Sequence, residues 1–114
     1  MDDEVAKWLY DALQASKQIR KFVGDKSAED YTSDALLSSA VERQFEIVGE
    51  ALKRIRDRDE EFIEGIDGWR GAISFRNILA HGYDDIDNEV VWGIIEDDLP
   101  MLIRSIEIHL KDEA

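Results

Sequence analysis

Between residues 37 and 55 the apolar side chains Leu37, Val41, Phe45, Val48, Leu52 and Ile55 recur at steps of four or three. That spacing matches the 3.6-residue turn of an α-helix and is incompatible with the alternation of a strand. A second apolar line, Leu36, Ala40, Ile47 and Ala51, widens the face, so this helix is expected to pack against more than one neighbour and to form the centre of the fold. Two further segments carry the same period. Val5, Trp8, Leu9, Ala12, Ile19, Phe22 and Val23 predict a helix ending near Gly24, and Val91, Ile95, Leu99, Leu102, Ile106 and Leu110 predict a last helical region capped by Asp87. Pro100 interrupts that region, because proline lacks a backbone donor and crowds the preceding turn. Either a kink or two abutting helices is expected around residues 97–99.

The intervening segments are less regular. DKSAEDYTSD, following Gly24, reads as a polar connection, and RDRDEEFIEG as a helix end or a short separate helix. Asp67 is placed to cap a helix through Trp69, Ile73, Phe75, Leu79 and Ala80, with Gly82 placed to stop it in a left-handed conformation. No segment alternates long enough to read as a strand, and no internal repeat or linker-like stretch is visible. The expected fold is all-α, an up-and-down bundle of about four to five helices forming one domain over residues 1–114.

Charge and composition narrow the function. Fourteen basic residues against 27 acidic ones give a formal charge of -13, which repels nucleic acid and anionic membranes in general, so any RNA must be held locally. The absence of cysteine removes disulfides, thiolate metal sites and cysteine nucleophiles. No apolar run approaches the roughly 20 residues that span a bilayer, and MDDEVAKWLYDAL lacks the pattern of a signal peptide. A cytoplasmic location and no membrane association are expected.

The segment 69–81 holds the chemistry. On a helical wheel Arg76 falls inside the arc of Trp69, Ala72, Ile73, Leu79 and Ala80, where a permanent charge requires an acidic partner, a subunit boundary or an anionic ligand. The commonplace arrangement is an arginine whose stem packs against apolar groups while its head reaches solvent or a carboxylate. Two copies of Arg76 meeting at a subunit boundary would need nearby carboxylates, for which Glu42, Glu46 and Glu50 on the long helix are candidates, although each also fits a plain surface position. His81 lies five positions on, about 140° around the helix and ~7.5 Å along it, so the two side chains share no stripe. A histidine at that point is also an ordinary complement to the helix dipole, as is His109, expected at the surface in the last turn of the final helix. Asp84, Asp85 and Asp87 fit a solvated acidic turn better than a magnesium site.

The string FRNILAHGY at residues 75–83 resembles the signature of the HEPN domain family, and most closely that of its HepT-like ribonuclease toxins: an arginine, four residues, a histidine, one residue and a tyrosine. Arg76, His81 and Tyr83 match it. VERQFEIVGEAL before the string, Trp69 at its entry and EVVWGIIEDDLPML after it are similar to the family's framework, so the resemblance covers nearly the whole chain. It implies a metal-independent ribonuclease needing no cofactor, with Arg76 and His81 as catalytic residues. Asn77 has a supporting role or is merely solvated. The resemblance also implies a homodimer with its motif helices facing across a two-fold axis, RNA as substrate, and a type VII-like toxin–antitoxin pairing. There, a partner nucleotidyltransferase antitoxin of the MntA kind adenylylates Tyr83. Two other readings stand beside it: a non-catalytic HEPN module that binds such a partner or a nucleotide, and a generic helical adaptor.

Overall fold

The computed structural model describes residues 1–81 and 86–112 of the chain. Five of the described helices begin where a short polar side chain satisfies free amides of the first turn. Asp2 caps α1 (Asp3–Val23) by accepting from the Val5 amide at 2.8 Å, and Gly24 closes the helix at φ 52. Asp34 caps α3 (Ala35–Arg58), and Asp59 ends α3 while capping α4 (Glu60–Ile63). Asp87 caps α6 (Asn88–Gly93) through the Glu89 amide, as its position predicts.

Three expectations need correction. The polar connection after Gly24 contains a helix, α2 (Ala28–Thr32), opened by a reciprocal capping box between Ser27 and Asp30 and fastened by Tyr31, which is fully buried. The short segment is held by that one large ring, stacked obliquely on Trp92 at 5.7 Å. Asp67 does not cap α5 (Trp69–Ala80): the N-cap is Gly68 in a left-handed conformation, φ 85, and the Asp67 amide donates to Ser105 Oγ at 2.9 Å. The left-handed turn opens α5, and residue 68 is free to adopt it because it has no Cβ. His109 is half-buried rather than a surface residue. Its Nδ1 lies 2.8 Å from the Ser105 carbonyl and its ring meets Phe62 edge-on.

Pro100 acts where expected but by a different device. Five π-helical residues, Ile94–Asp98, join α6 to α7 (Leu99–Asp112), with the Leu99 amide donating to the Ile94 carbonyl five residues back. Widening the turn lets the helical path continue past a residue that cannot donate to its own preceding turn.

The predicted stripes are the core. Val41, Val48, Leu52 and Ile55 of α3 are fully enclosed, together with Leu9 and Ile19 of α1 and Ile106 of α7. The second line on α3 is buried only in part: Ala51 is enclosed, Ile47 half-buried and Leu36 open to solvent at 82% exposure. Helix α3 lies between α1 and α5, and α1 also meets α7. Helices α1 and α3 run antiparallel, since Arg58 at the end of α3 reaches Asp2 at the start of α1. The described residues are all-α, with no strand among them, and no helix among them is long and apolar enough to cross a membrane.

The junction of Asp2 with the α1 amides and Arg58 has a pH signature. Asp2 is held below the usual aspartate value first by the Val5 amide and then by the Arg58 guanidinium. A depressed carboxyl contributes stability that is complete above its unfolded pKa, about 3.9, and lost as pH falls through the lower folded value. Asp2→Asn keeps a capping oxygen but removes the charge. It is expected to flatten the stability change of wild type below about pH 4, read by urea titrations from pH 5 to 2.

Candidate functional site

Arg76 is placed by a close approach of two helices. At the point where α5 crosses α3 stands Gly49, and a Cβ added there would overlap Arg76 Cβ and come within 2.9 Å of the Ala72 carbonyl oxygen. The bare backbone of α3 is therefore the floor against which the Arg76 stem packs. One turn higher, Phe45 of α3 and Phe75 of α5 meet edge-on, with ring centroids 5.1 Å apart, and fix the two helices in rotation.

The guanidinium of Arg76 emerges beside Glu50, with Nη2 2.9 Å from Oε2, and the side chain keeps 24% exposure. Oε2 is itself enclosed and makes no well-aligned hydrogen bond. Charge attraction at short range, rather than a directed bond, therefore joins the pair. Nη1 of Arg76 also donates to Asn77 Oδ1 at 3.2 Å, so Asn77 steadies the arginine. Of the three glutamates considered from sequence, Glu50 alone among the described residues pairs with Arg76. Glu46 lies 3.8 Å from Arg43, and Glu42 is pushed above the usual glutamate range by burial and then by the Glu46 charge. Arg76 thus does what its place in the apolar arc requires: the stem is packed and the head is paired.

His81 is exposed and ends α5, its amide donating to the Asn77 carbonyl at 3.1 Å. Arg76 opens onto a cleft of about 200 Å³ between α1 and α3, whose lining includes Trp8, Glu50 and Arg54 but not His81. Within one chain, then, no hydrogen bond among the described residues joins Arg76 to His81, and their directions differ as the helical spacing predicts. Tyr83, Gly82, Asp84 and Asp85 lie outside the described residues. Asp87 uses its carboxylate as a cap, and Ala80, expected within the buried arc, is exposed.

Sequence reasoning named Glu50 among three candidates but missed Gly49 and Arg54 beside Arg76. The only forewarning of Gly49 was a small residue on the widened face of a long helix, and the pairing of Glu50 with Arg54 is a four-residue spacing that helices use routinely at the surface.

Comparison with known proteins identifies the family. The model of the family described as "Ribonuclease HepT-like" matches residues 12–108. A Methanocaldococcus jannaschii protein named "Putative RNase" is 33% identical over 111 residues, covering 96% of this chain and 89% of its own length. A second protein of that organism and name is 30% identical over 105 residues, covering 92% and 95%. A Thermococcus cleftensis protein named "Probable ribonuclease HepT" is 33% identical over 100 residues, covering 88% and 90%. No solved structure matches the chain. With the family model matching residues 12–108 and a relative 33% identical over 96% of the chain, the chain belongs to the HepT-like ribonuclease family.

Proposed function

We propose that this chain cleaves RNA without a metal ion, at a cleft formed where two copies bring their α5 ends together about a two-fold axis. The observation that carries the reading is the match to the HepT-like ribonuclease family over residues 12–108, a span that contains Arg76 and His81. His81, exposed at the end of α5, removes the proton from a ribose 2′-hydroxyl. The freed 2′-oxygen attacks the adjacent phosphorus, the bond from phosphorus to the 5′-oxygen breaks, and a proton from water or the second copy completes the leaving hydroxyl. One product ends in a cyclic phosphate and the other in a 5′-hydroxyl. Arg76 supplies its planar donors to the phosphate oxygens as charge builds, while Asn77 keeps the guanidinium in place. Dimerisation supplies what the single chain does not: a second α5 end whose His81 can stand beside the first copy's Arg76.

Within this reading the protein is a cytoplasmic toxin of a type VII-like pair. Tyr83, two residues beyond His81, is the point at which a partner nucleotidyltransferase of the MntA kind adds an adenylyl group, filling the cleft with bulk and negative charge. A second reading, a HEPN module that binds such a partner without cleaving RNA, draws on one feature: Glu50 already satisfies Arg76 as a structural ion pair.

The test is incubation with a mixed RNA pool in EDTA, with analysis of product ends. Wild type is expected to leave cyclic phosphates. Arg76→Ala is expected to lose roughly 10²- to 10³-fold in turnover, and Arg76→Lys to recover only part of it because a lysine offers no planar fork. Equal products from wild type and a folded Arg76→Ala would remove the support for catalysis by Arg76 and favour the binding module.

A further inference from the structure

Arg76 is not the only arginine in its cleft. Arg43 and Arg54 of α3 line the same hollow, which is walled on the α1 side by Trp8 and Asp11. Glu50 divides its carboxylate between two guanidiniums: Oε1 lies 3.4 Å from Arg54 Nε, and Oε2 lies 2.9 Å from Arg76 Nη2. Both arginines are thereby drawn to one point. Arg43, held at 3.8 Å by Glu46 one turn away, extends the row along the helix.

We infer that this cleft is a binding subsite for single-stranded RNA, in which Arg54 and Arg43 hold the phosphates next to the one at Arg76 and the Trp8 ring carries a base. The inference rests on the ribonuclease reading. It adds residues that the Arg76–His81 motif does not contain, on two helices outside α5.

Four observations support it. The chain carries a formal charge of -13, so a strand of RNA is repelled from most of the surface, and a row of three arginines is where that repulsion is relieved. The side chains are reachable, with 68% exposure at Arg43, 58% at Arg54 and 24% at Arg76. Their partners Glu46 and Glu50 occupy only part of each planar fork of five N–H donors, leaving donors for phosphate oxygens. A half-buried indole beside a run of cationic groups is the combination by which proteins hold unpaired nucleic acid, the ring stacking on a base and the cations following the backbone. Asp11, Glu46 and Glu50 balance the arginines in the free protein and weaken non-specific attraction. RNA binding here is accordingly expected to be short-range.

The experiment measures binding of a single-stranded 2′-O-methyl RNA oligonucleotide, which cannot be cleaved, by fluorescence anisotropy across a series of salt concentrations. Compared with wild type, Arg43→Gln/Arg54→Gln is expected to bind more weakly and to lower the slope of log K against log salt by about 1.4, roughly 0.7 for each phosphate no longer neutralised. Trp8→Leu, which keeps apolar bulk against the core, is expected to weaken binding roughly 5- to 100-fold with the slope unchanged. Arg20→Gln/Lys21→Gln, two exposed cations in the last turn of α1, serves as the charge-matched control. A double arginine variant with wild-type affinity and slope would overturn the subsite, whatever Trp8→Leu does. Cleavage of ordinary RNA by the same wild-type preparation reports separately on the ribonuclease reading. Cleavage with an unaltered double variant removes the subsite alone, whereas no cleavage removes the reading on which it rests.

Discussion

Gly49→Ala is expected to destabilise the protein by about 3 kcal/mol, a cost at the upper end for overpacking a close helix contact, and so to lower Tm by roughly 12 °C. Two effects of opposite sign compete. Alanine is the better helix former, by about 1 kcal/mol. Against it, the new methyl group overlaps Arg76 Cβ and stands 2.9 Å from the Ala72 carbonyl oxygen, neither of which is the movable end of a flexible side chain. Relief requires α5 to shift bodily from α3, opening the edge-on contact of Phe45 with Phe75 and drawing Arg76 from Glu50. The steric term is the larger. Gly71 on α5 provides the contrast, since a Cβ there meets nothing within 4 Å. Gly71→Ala is expected to gain about 0.5–1 kcal/mol from helix propensity alone. Thermal unfolding of the two variants side by side separates close approach from propensity, and a neutral Gly49→Ala would show that the crossing is looser than described.

His81→Ala is expected to lower the rate of RNA cleavage by roughly 10²- to 10⁴-fold, the range for removing a general base, while Tm changes by little. The side chain is exposed at the end of α5, and its backbone amide, not its ring, makes the described hydrogen bond to Asn77. A surface substitution of that kind stays within about 0.5 kcal/mol of wild type. His81→Gln, which can hydrogen-bond but cannot take a proton near neutral pH, is expected to be as inactive as alanine if the ring is the base. Activity retained by either variant would move the proton transfer to another group. Because the proposed site draws on two copies, mixing inactive His81→Ala with inactive Arg76→Ala is expected to restore part of the activity, provided each site takes one residue from each copy. Full inactivity of the mixture, with dimers shown to exchange, would place both residues of a working site in one chain.

Much of this molecule was legible along the chain. The stripe from Leu37 to Ile55 is buried residue by residue, and Gly24 and Asp87 mark helix boundaries where their chemistry predicts. These are local consequences: a 3.6-residue period and the free amides of a first turn depend only on neighbouring residues. The placing of Arg76 inside an apolar arc also followed from the wheel, together with its need for a partner. Which carboxylate answers that need did not follow. Glu42, Glu46 and Glu50 are equivalent in composition, and it is the depth at which α5 crosses α3, set by the missing side chain of Gly49, that brings Glu50 to 2.9 Å.

The departures from expectation have the same origin. Tyr31 turns a polar connection into a helix because a pocket beside Trp92 receives its ring, and Asp67 gives up a capping role because Ser105, 38 residues away, takes its amide. Leu36 extends an apolar line in sequence yet faces solvent, since no helix lies over it among the described residues. The amino-acid sequence by itself determined the all-α class, the core faces, most helix ends and the family signature, because each is written in spacings short enough for the backbone to read. The gathering of Trp8, Arg43, Arg54 and Arg76 around one cleft was decided only by the tertiary structure. Those residues come from three helices, and their meeting depends on the packing of α1 and α5 against α3.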